Sequence, residues 1–238
     1  MATISPPALP RLSRGELRVA PSILSADFGA LASEIDSVVP GTDWLHVDVM
    51  DGHFVPNLTV GPIVLRALRK ATRVPFDVHL MIEEPLSTLD QYLDAGAARV
   101  AVHVEAEPHL HRFAQHVRGR GVNPGVAINP GTALASLDEA LLFVDFVLVM
   151  TVDPGWGGQA FIEGSLDRVG RLSEMIRRAG SRATIAVDGG VGPDNIAPLV
   201  RAGARHFVAG ASVFSDGDVP GSIRRLREAA GSAGTLRA

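Results

Sequence analysis

The stretch Trp44-Leu-His-Val-Asp-Val-Met-Asp-Gly-His-Phe-Val-Pro-Asn57 decides the fold of this chain. Its first half alternates residue types with a period of two, which is typical of a buried strand. Its second half carries Gly52 and Pro56, which are typical of a loop. His46 and Asp48 then lie on one face of the strand, about 6.6 Å apart. Two ionisable groups on an otherwise apolar strand are costly to bury unless they meet a metal, a ligand or each other. This stretch alone is consistent with two interpretations of His46 and Asp48: a functional site, or a structural pair joined by a hydrogen bond.

The same strand-then-loop unit recurs along the chain from Leu17 onward. The predicted strands are Val19–Ile23, Trp44–Met50, Phe76–Met81, Arg99–Val104, Gly125–Ile128, Phe146–Thr151, Thr184–Asp188 and His206–Ala209. Parallel strands need long crossovers, usually helical, and eight such units close a sheet into a barrel. We therefore predict an α/β fold, a (β/α)8 TIM barrel in a single domain. An open doubly wound sheet is the alternative, but no G-x-G-x-x-G motif follows the first strand.

Helical patterns separate these strands. Pro108–Val117 repeats apolar residues at i, i+3, i+4 and i+7 on one face. Ser165–Ala179 has a similar apolar stripe, and Gly180 is a typical stop. Pro193 stands where a first-turn proline is favoured, ahead of a further apolar stripe.

Composition restricts the possible partners and ligands. The chain has 238 residues, 46% apolar and 20% charged, which is enough for one large core. With a net charge of −4 and no Lys/Arg block, it is not expected to bind nucleic acid or a membrane. A small soluble partner fits better. The chain has no cysteine, so His, Asp and Glu are the only strong metal ligands available.

The two ends of the chain differ in pattern from the middle. Residues 1–16 contain three prolines and no periodicity, and are predicted to form a flexible N-terminal extension. A transit peptide is the alternative, but the proline density argues against the amphipathic helix that it needs. Residues 17–230 form the predicted barrel and 231–238 a flexible C-terminal tail. No apolar run is long enough for a membrane span or a secretory signal, so we expect a cytoplasmic protein.

Chemistry-bearing side chains fall at the predicted strand ends, where this fold places active sites. They come from four strands: Ser22, His46, Asp48, His79 and Asp188. The two His and two Asp residues suit Zn²⁺, Fe²⁺, Mn²⁺ or Co²⁺ better than an all-oxygen site for Mg²⁺ or Ca²⁺. Four separately hydrogen-bonded polar residues are the alternative.

Glycine-rich loops follow the last three predicted strands. They are Gly155-Trp156-Gly157-Gly158, Asp188-Gly189-Gly190-Val191-Gly192 and Gly210-Ala211-Ser212. Glycine allows a backbone to approach an anion closely, and phosphate sites in this fold use the loops after strands seven and eight. We predict a phosphate site here, although a single such loop would be an ordinary turn.

Other residues near the predicted strand ends have two readings. His103 and Glu105 would support the metal ligands or make structural hydrogen bonds. Met50, Met81 and Met150 would line the site beneath a ligand or fill the core. Trp156 would either close over the site or pack against neighbouring side chains.

Five motifs together resemble the ribulose-phosphate 3-epimerase family. They are Pro21-Ser-Ile-Leu-Ser-Ala-Asp27, Leu45-His-Val-Asp-Val-Met-Asp-Gly-His-Phe-Val-Pro-Asn57, Asp77-Val-His-Leu-Met81, Val149-Met-Thr-Val-Asp-Pro-Gly-Trp-Gly-Gly-Gln159 and Val187-Asp-Gly-Gly-Val191. The similarity runs from about Val19 to Ser215. Two positions depart from the family pattern: Trp156 stands where Phe is usual, and Gly210-Ala211 where Gly-Ser is usual.

The resemblance implies roles for these residues. His46, Asp48, His79 and Asp188 would bind one divalent metal ion, and Asp48 and Asp188 would also be the catalytic acid/base pair. Substrate contacts would come from Ser22, His79, Gly155, Trp156, Gly157, Gly158, Asp188, Gly189, Gly190, Gly210 and Ala211. The expected partner is a small ketose phosphate, no organic cofactor is expected, and the chain is expected to form a homo-oligomer.

The reaction implied is the interconversion of D-ribulose 5-phosphate and D-xylulose 5-phosphate at C3, as in the pentose phosphate pathway or the Calvin cycle. An enediolate lies between the epimers, and its negative charge must be stabilised. Inversion calls for acid/base groups on opposite faces of that plane, which carboxylates on strands two and seven can supply. An epimerase for a six-carbon ketose phosphate such as allulose 6-phosphate, a metal-dependent lyase and a non-catalytic sugar-phosphate sensor are the alternatives.

Overall fold

The computed structural model describes residues 16–39 and 41–233, and the predicted extension, apart from Glu16, lies outside them. Eight strands alternate with helical segments. The strands are β1 (Arg18–Pro21), β2 (Leu45–Met50), β3 (Phe76–Met81), β4 (Ala97–His103), β5 (Asn123–Ile128), β6 (Phe146–Met150), β7 (Thr184–Asp188) and β8 (Ala204–Ala209).

Eight α-helices surround the strands in the described ranges. They are α1 (Leu31–Val38), α2 (Pro62–Ala71), α3 (Pro85–Asp94), α4 (Leu110–Gly119), α5 (Ser165–Arg178), α6 (Pro193–Ala202), α7 (Ala211–Phe214) and α8 (Val219–Ser232). Proline occupies the first turn of several of them, where its missing N–H costs nothing. Helix α8 extends to Ser232, within the stretch predicted as a C-terminal tail. None of these helices combines the length and apolarity needed to cross a bilayer.

The sheet confirms the predicted (β/α)8 barrel. Its strand order is β1-β8-β7-β6-β5-β4-β3-β2, and all neighbours are parallel. A parallel bridge between Ser22 and His46 joins the two ends of the sheet. The closing contact therefore brings two of the predicted site residues side by side.

One crossover differs from the predicted strand-then-helix unit. Between β5 and β6, the 3-10 turns Leu134–Leu137 and Ala140–Leu142 replace an α-helix. Pro130 and Gly131 occupy the start of this connection and disfavour a longer helix. Residues three apart share a face of a 3-10 turn, so Leu134 and Leu137 still cover the core.

Strand residues alternate between the helix layer and the barrel interior. Outward-facing residues such as Val47 and Val78 belong to the main core beneath the helices. The interior is apolar on the β5–β7 side. It is polar on the β2–β4 side, where His46, Asp48, Asp77, His79, Arg99 and His103 are all buried. The polar half of the interior therefore leads directly to the predicted site.

Candidate active site and metal centre

Four side chains from three strands meet at the mouth of the barrel. Ligand atoms from His46, Asp48, His79 and Asp188 lie within 4.8 Å of one another. Nε2 of His46 and Nδ1 of His79 are each 3.2 Å from Oδ1 of Asp48 and 3.6 Å from Oδ2 of Asp188. Both His side chains are fully buried, and Asp188 is partly accessible.

This spacing fits one divalent ion. Nitrogen and oxygen ligands of Zn²⁺ bind at about 2.0–2.2 Å, so neighbouring ligands around one ion are about 3–3.5 Å apart. The separations of 3.2 and 3.6 Å between imidazole nitrogens and carboxylate oxygens agree with that geometry. A mixed nitrogen and oxygen set also suits Fe, Mn and Co. The four residues therefore fit a transition-metal centre.

The charges of the site favour a bound cation. Burial by itself disfavours the imidazolium form of His46, but Asp48 and Asp77 outweigh it and raise its pKa well above the ordinary value. The pKa of His79 is also raised, because Asp188 and Asp48 overcome the cost of burial. Burial opposes ionisation of Asp48, yet the two imidazoles hold its pKa well below the usual range. The carboxylates thus attract positive charge, carried by protons or by a metal ion.

Each imidazole of this cluster is held from behind through its other ring nitrogen. Nδ1 of His46 lies 2.8 Å from Oδ2 of Asp77. Nε2 of His79 lies 2.8 Å from Nε2 of His103, whose Nδ1 lies 3.1 Å from Glu105. Such contacts set the tautomer and orientation of a metal-binding imidazole.

The sequence predicts two alternative roles for His103 and Glu105 and none for Asp77. His103 and Glu105 lie behind His79, which agrees with the supporting role considered for them. The contact of Asp77 with His46 was not predicted. The signal was present, because Asp77 precedes His79 by two positions and therefore shares its face of the strand.

A cavity of about 260 Å³ is lined by Asp48 and Asp188 of this cluster. Its lining contains the predicted substrate-contact residues except the fully buried His79, together with the three methionines predicted to lie near the ligand. The lining residues are Ser22, Leu24, Ser25, Asp48, Met50, Met81, Met150, Val152, Pro154, Gly155, Trp156, Gly157, Gly158, Gln159, Asp188, Gly189, Gly190, Val191, Gly192, Val208, Gly210, Ala211 and Ser212. Trp156 is 57% exposed at the rim.

Two glycines of the late loops line this cavity and pack where a side chain does not fit. Gly190 has φ +63°, and a Cβ added there would lie 2.6 Å from the backbone nitrogen of Phe161. A Cβ on Gly210 would lie 2.5 Å from Oγ of Ser25. No Lys or Arg occurs among the described residues that line the cavity. An anion bound here would therefore depend on backbone N–H groups and on neutral side-chain donors such as Ser25 and Gln159.

Comparison with known proteins identifies the family. The model of the ribulose-phosphate 3 epimerase family matches residues 18–214. The chain belongs to this family. The ribulose-phosphate 3-epimerase of Bacillus subtilis is 45% identical over 213 residues, covering 89% of this chain and 98% of that protein. The ribulose-phosphate 3-epimerase of Aquifex aeolicus is 43% identical, covering 88% and 95%. This membership confirms the resemblance and makes the chain an epimerase of carbohydrate metabolism.

More distant structures share the ribulose-phosphate 3-epimerase fold. A crystal structure of 3-hexulose-6-phosphate synthase superposes with a TM-score of 0.64 at 20% identity, covering 90% of this chain and 99% of that one. The structure of KGPDC from Streptococcus mutans superposes with a TM-score of 0.70 at 16% identity, covering 92% and 99%. At these identities, the likeness supports the barrel architecture alone.

Proposed function

We propose that this epimerase interconverts D-ribulose 5-phosphate and D-xylulose 5-phosphate by inverting C3 through an enediolate. Asp48 and Asp188 are the acid/base pair. One observation carries the proposal: carboxylates from β2 and β7 line the same small cavity, with ligand atoms of both in one cluster. The curated relatives named ribulose-phosphate 3-epimerase support the choice of substrate.

Inversion requires a proton to leave one face of C3 and another to arrive at the opposite face. Asp48 lies on β2 and Asp188 on β7, so the two carboxylates approach the cavity from different strands. One accepts the C3 proton as a general base, and the other, protonated, returns a proton to the opposite face. In the reverse direction the two residues exchange these roles.

The two oxygens of Asp48 have different neighbours, which suits a double role. Oδ1 faces the imidazole nitrogens of His46 and His79. Oδ2 accepts a hydrogen bond from Ser22 and is the oxygen proposed to carry the proton. Ser22 thereby orients the carboxylate toward the substrate.

His46, Asp48, His79 and Asp188 would hold one divalent ion, of Zn, Fe, Mn or Co. When bound, it would supply Lewis-acid stabilisation of the negative charge that develops on the substrate oxygens. This centre makes an organic cofactor unnecessary for the proposed reaction.

The phosphate group is proposed to lie against the glycine loops. Gly155, Trp156, Gly157 and Gly158 follow β6, Gly189 and Gly190 follow β7, and Gly210 and Ala211 follow β8. The absence of a cationic side chain from the described cavity lining supports binding by backbone N–H groups. Ser212 directs its hydroxyl to the carbonyl oxygen of Val191, 2.7 Å away, so it stabilises the loop.

The test uses Asp48→Asn and Asp188→Asn, with metal content measured on the same samples. Losing one general base typically lowers the rate by about 10²–10⁴-fold. A metal-loaded variant is expected to exchange the C3 proton of one epimer with solvent without completing inversion. Asp153→Asn, an exposed carboxylate next to the cavity lining, is the matched control and should retain wild-type turnover.

Epimerisation at the wild-type rate by metal-loaded Asp188→Asn would contradict the two-base mechanism. Turnover of allulose 6-phosphate in preference to ribulose 5-phosphate would replace the proposed substrate by a six-carbon one.

A homo-oligomer and a cytoplasmic location stay predictions. Sedimentation of the purified protein tests the first, and microscopy of the tagged protein tests the second.

A further inference from the structure

The interior of the barrel below the metal centre contains a buried cation. Arg99 on β4 is 1% exposed, and its Nε donates a 2.6 Å hydrogen bond to Oδ1 of Asp77. The other oxygen of Asp77 lies 2.8 Å from Nδ1 of His46. A continuous chain of polar contacts therefore runs from Arg99 through Asp77 to a proposed metal ligand.

Aromatic rings hold the guanidinium in place. The Cζ atom of Arg99 lies 4.3 Å from the centroid of the Trp44 ring and 3.8 Å from that of the Phe146 ring. Phe146 has space for this contact because its neighbour on β5 is Gly125, where a Cβ would lie 2.2 Å from the Phe146 ring. Two rings flanking a desolvated guanidinium make a favourable cation–π arrangement.

The remaining contact sets the direction of the guanidinium. Nη1 of Arg99 lies 2.9 Å from Nδ1 of His206. Arginine can only donate, so His206 accepts through Nδ1 and is the neutral tautomer protonated at Nε2. The guanidinium of Arg99 is thus fixed by two hydrogen bonds, one from Nη1 to His206 and one from Nε to Asp77.

We propose that Arg99 is a positioning residue for the metal centre, acting through Asp77 on His46. Its guanidinium holds the carboxylate of Asp77 in one orientation through the hydrogen bond from Nε. Asp77 then holds the proton on Nδ1 of His46 and leaves Nε2 free to bind the ion. The inference rests on the proposed function, because it presumes that His46 is a ligand.

This role predicts a loss of metal affinity. Replacing residues that support metal ligands typically weakens binding about 10–100-fold. Arg99→Met is expected to weaken Co²⁺ binding by about that factor and to change the visible absorption spectrum of the Co²⁺-loaded protein. Affinity is measured by competition with a chelator, which does not depend on turnover.

Arg69→Met is the matched control. Arg69 is also buried and also stacks on a ring, with Cζ 3.8 Å from the centroid of Phe76. It donates only to the backbone carbonyl oxygens of Thr72, Val74 and Gly96 in the described contacts. Its loss should lower stability without changing the affinity for Co²⁺ or the absorption spectrum.

A double-mutant cycle tests the route through Asp77. If Arg99 acts through this carboxylate, Arg99→Met combined with Asp77→Asn binds Co²⁺ as Asp77→Asn does alone. The double variant leaves neither charge unpaired, but each single variant leaves one, so the cycle applies where both single variants fold. Arg99→Lys keeps the ion pair and serves where they do not. Arg99→Lys keeps a cation beside Asp77 and should retain more affinity than Arg99→Met.

Two results would overturn the inference: wild-type Co²⁺ affinity in folded Arg99→Met, or a further loss of affinity in the double variant beyond that of Asp77→Asn. Failure of the wild-type protein itself to bind Co²⁺ would instead remove the metal centre of the proposed function, and this inference with it. The wild-type titration therefore separates the two proposals.

Discussion

The hydroxyl of Ser22 donates a 2.6 Å hydrogen bond to Oδ2 of Asp48. The same hydroxyl oxygen accepts the N–H of Leu24 at 3.2 Å, so its own proton is directed to the carboxylate. This arrangement depends on barrel closure, because Ser22 follows β1 and Asp48 lies on β2. The bridge between Ser22 and His46 brings the two strands together at this point.

Ser22→Ala should lower kcat while leaving metal content unchanged. A hydrogen bond to a charged group contributes about 1.5–3 kcal/mol, which corresponds to about 10- to 100-fold in rate if it is needed in the transition state. The acidic limb of the pH–rate profile should also move to higher pH, because the carboxylate of Asp48 loses a donor. Steady-state kinetics and metal analysis on one sample measure both effects.

Ser222→Ala provides the control for this variant. Ser222 is equally buried and donates to the carboxylate of Asp216 at 3.0 Å, and neither residue lines the active-site cavity. Its kinetics should match the wild type. Unchanged kcat in Ser22→Ala would show that orientation of Asp48 does not depend on this hydroxyl.

Gly190→Ala should raise KM for the phosphorylated substrate. The residue has φ +63°, and the added Cβ would meet the backbone of Phe161 at 2.6 Å, so the loop after β7 must move. A displaced backbone N–H group should cost about tenfold or more in KM, equivalent to about 1.4 kcal/mol. Gly190→Asp, which adds a negative charge, should have a larger effect.

Gly121→Ala separates this effect from simple backbone strain. Gly121 has φ +74°, but nothing lies within 4 Å of an added Cβ, and the residue is not among those that line the cavity. Its substitution should reduce stability without affecting KM. A normal KM in folded Gly190→Ala and Gly190→Asp would mean that the phosphate lies elsewhere.

The stability of the metal-free protein should pass through a maximum near the ordinary pKa of histidine. Burial lowers the pKa of His103 to about 4 and that of His206 well below its ordinary value. The unfolded chain therefore binds more protons below about pH 6.5, so the free energy of unfolding falls on acidification. The raised pKa values of His46 and His79 act oppositely, because the folded state holds more protons there above about pH 6.5.

A bound divalent ion should remove the alkaline decline. It would take the place of the protons on His46 and His79, so binding should strengthen as pH rises through their folded pKa values. Urea unfolding across a pH series, with a chelator or with Co²⁺, measures the free energy of unfolding on the acidic and the alkaline side of the maximum. Metal-free stability that kept rising above neutral pH would show that His46 and His79 are not protonated in the folded apoprotein.

Strand positions and most of the site follow from local pattern. The alternation in Leu45–Met50 places His46 and Asp48 on one face whatever their neighbours are, because the side-chain period of a strand is two. The glycine loops after the last three strands can also be predicted from the sequence, since no other residue adopts their backbone conformation as easily. The 3-10 turns between β5 and β6 were not predicted, because apolar residues at short spacings suit a 3-10 turn as well as an α-helix.

The sequence by itself determined the barrel, the polar side chains near its mouth and the strand ends that carry them, because these depend on periodicity and on side-chain chemistry. Only the tertiary structure decided which atoms meet. Register and closure bring Ser22 to one oxygen of Asp48 and both imidazoles to the other. Contacts with Asp77 and His103 hold His46 and His79 from behind. The Arg99 contacts join residues as far as 107 positions apart, which no local pattern encodes.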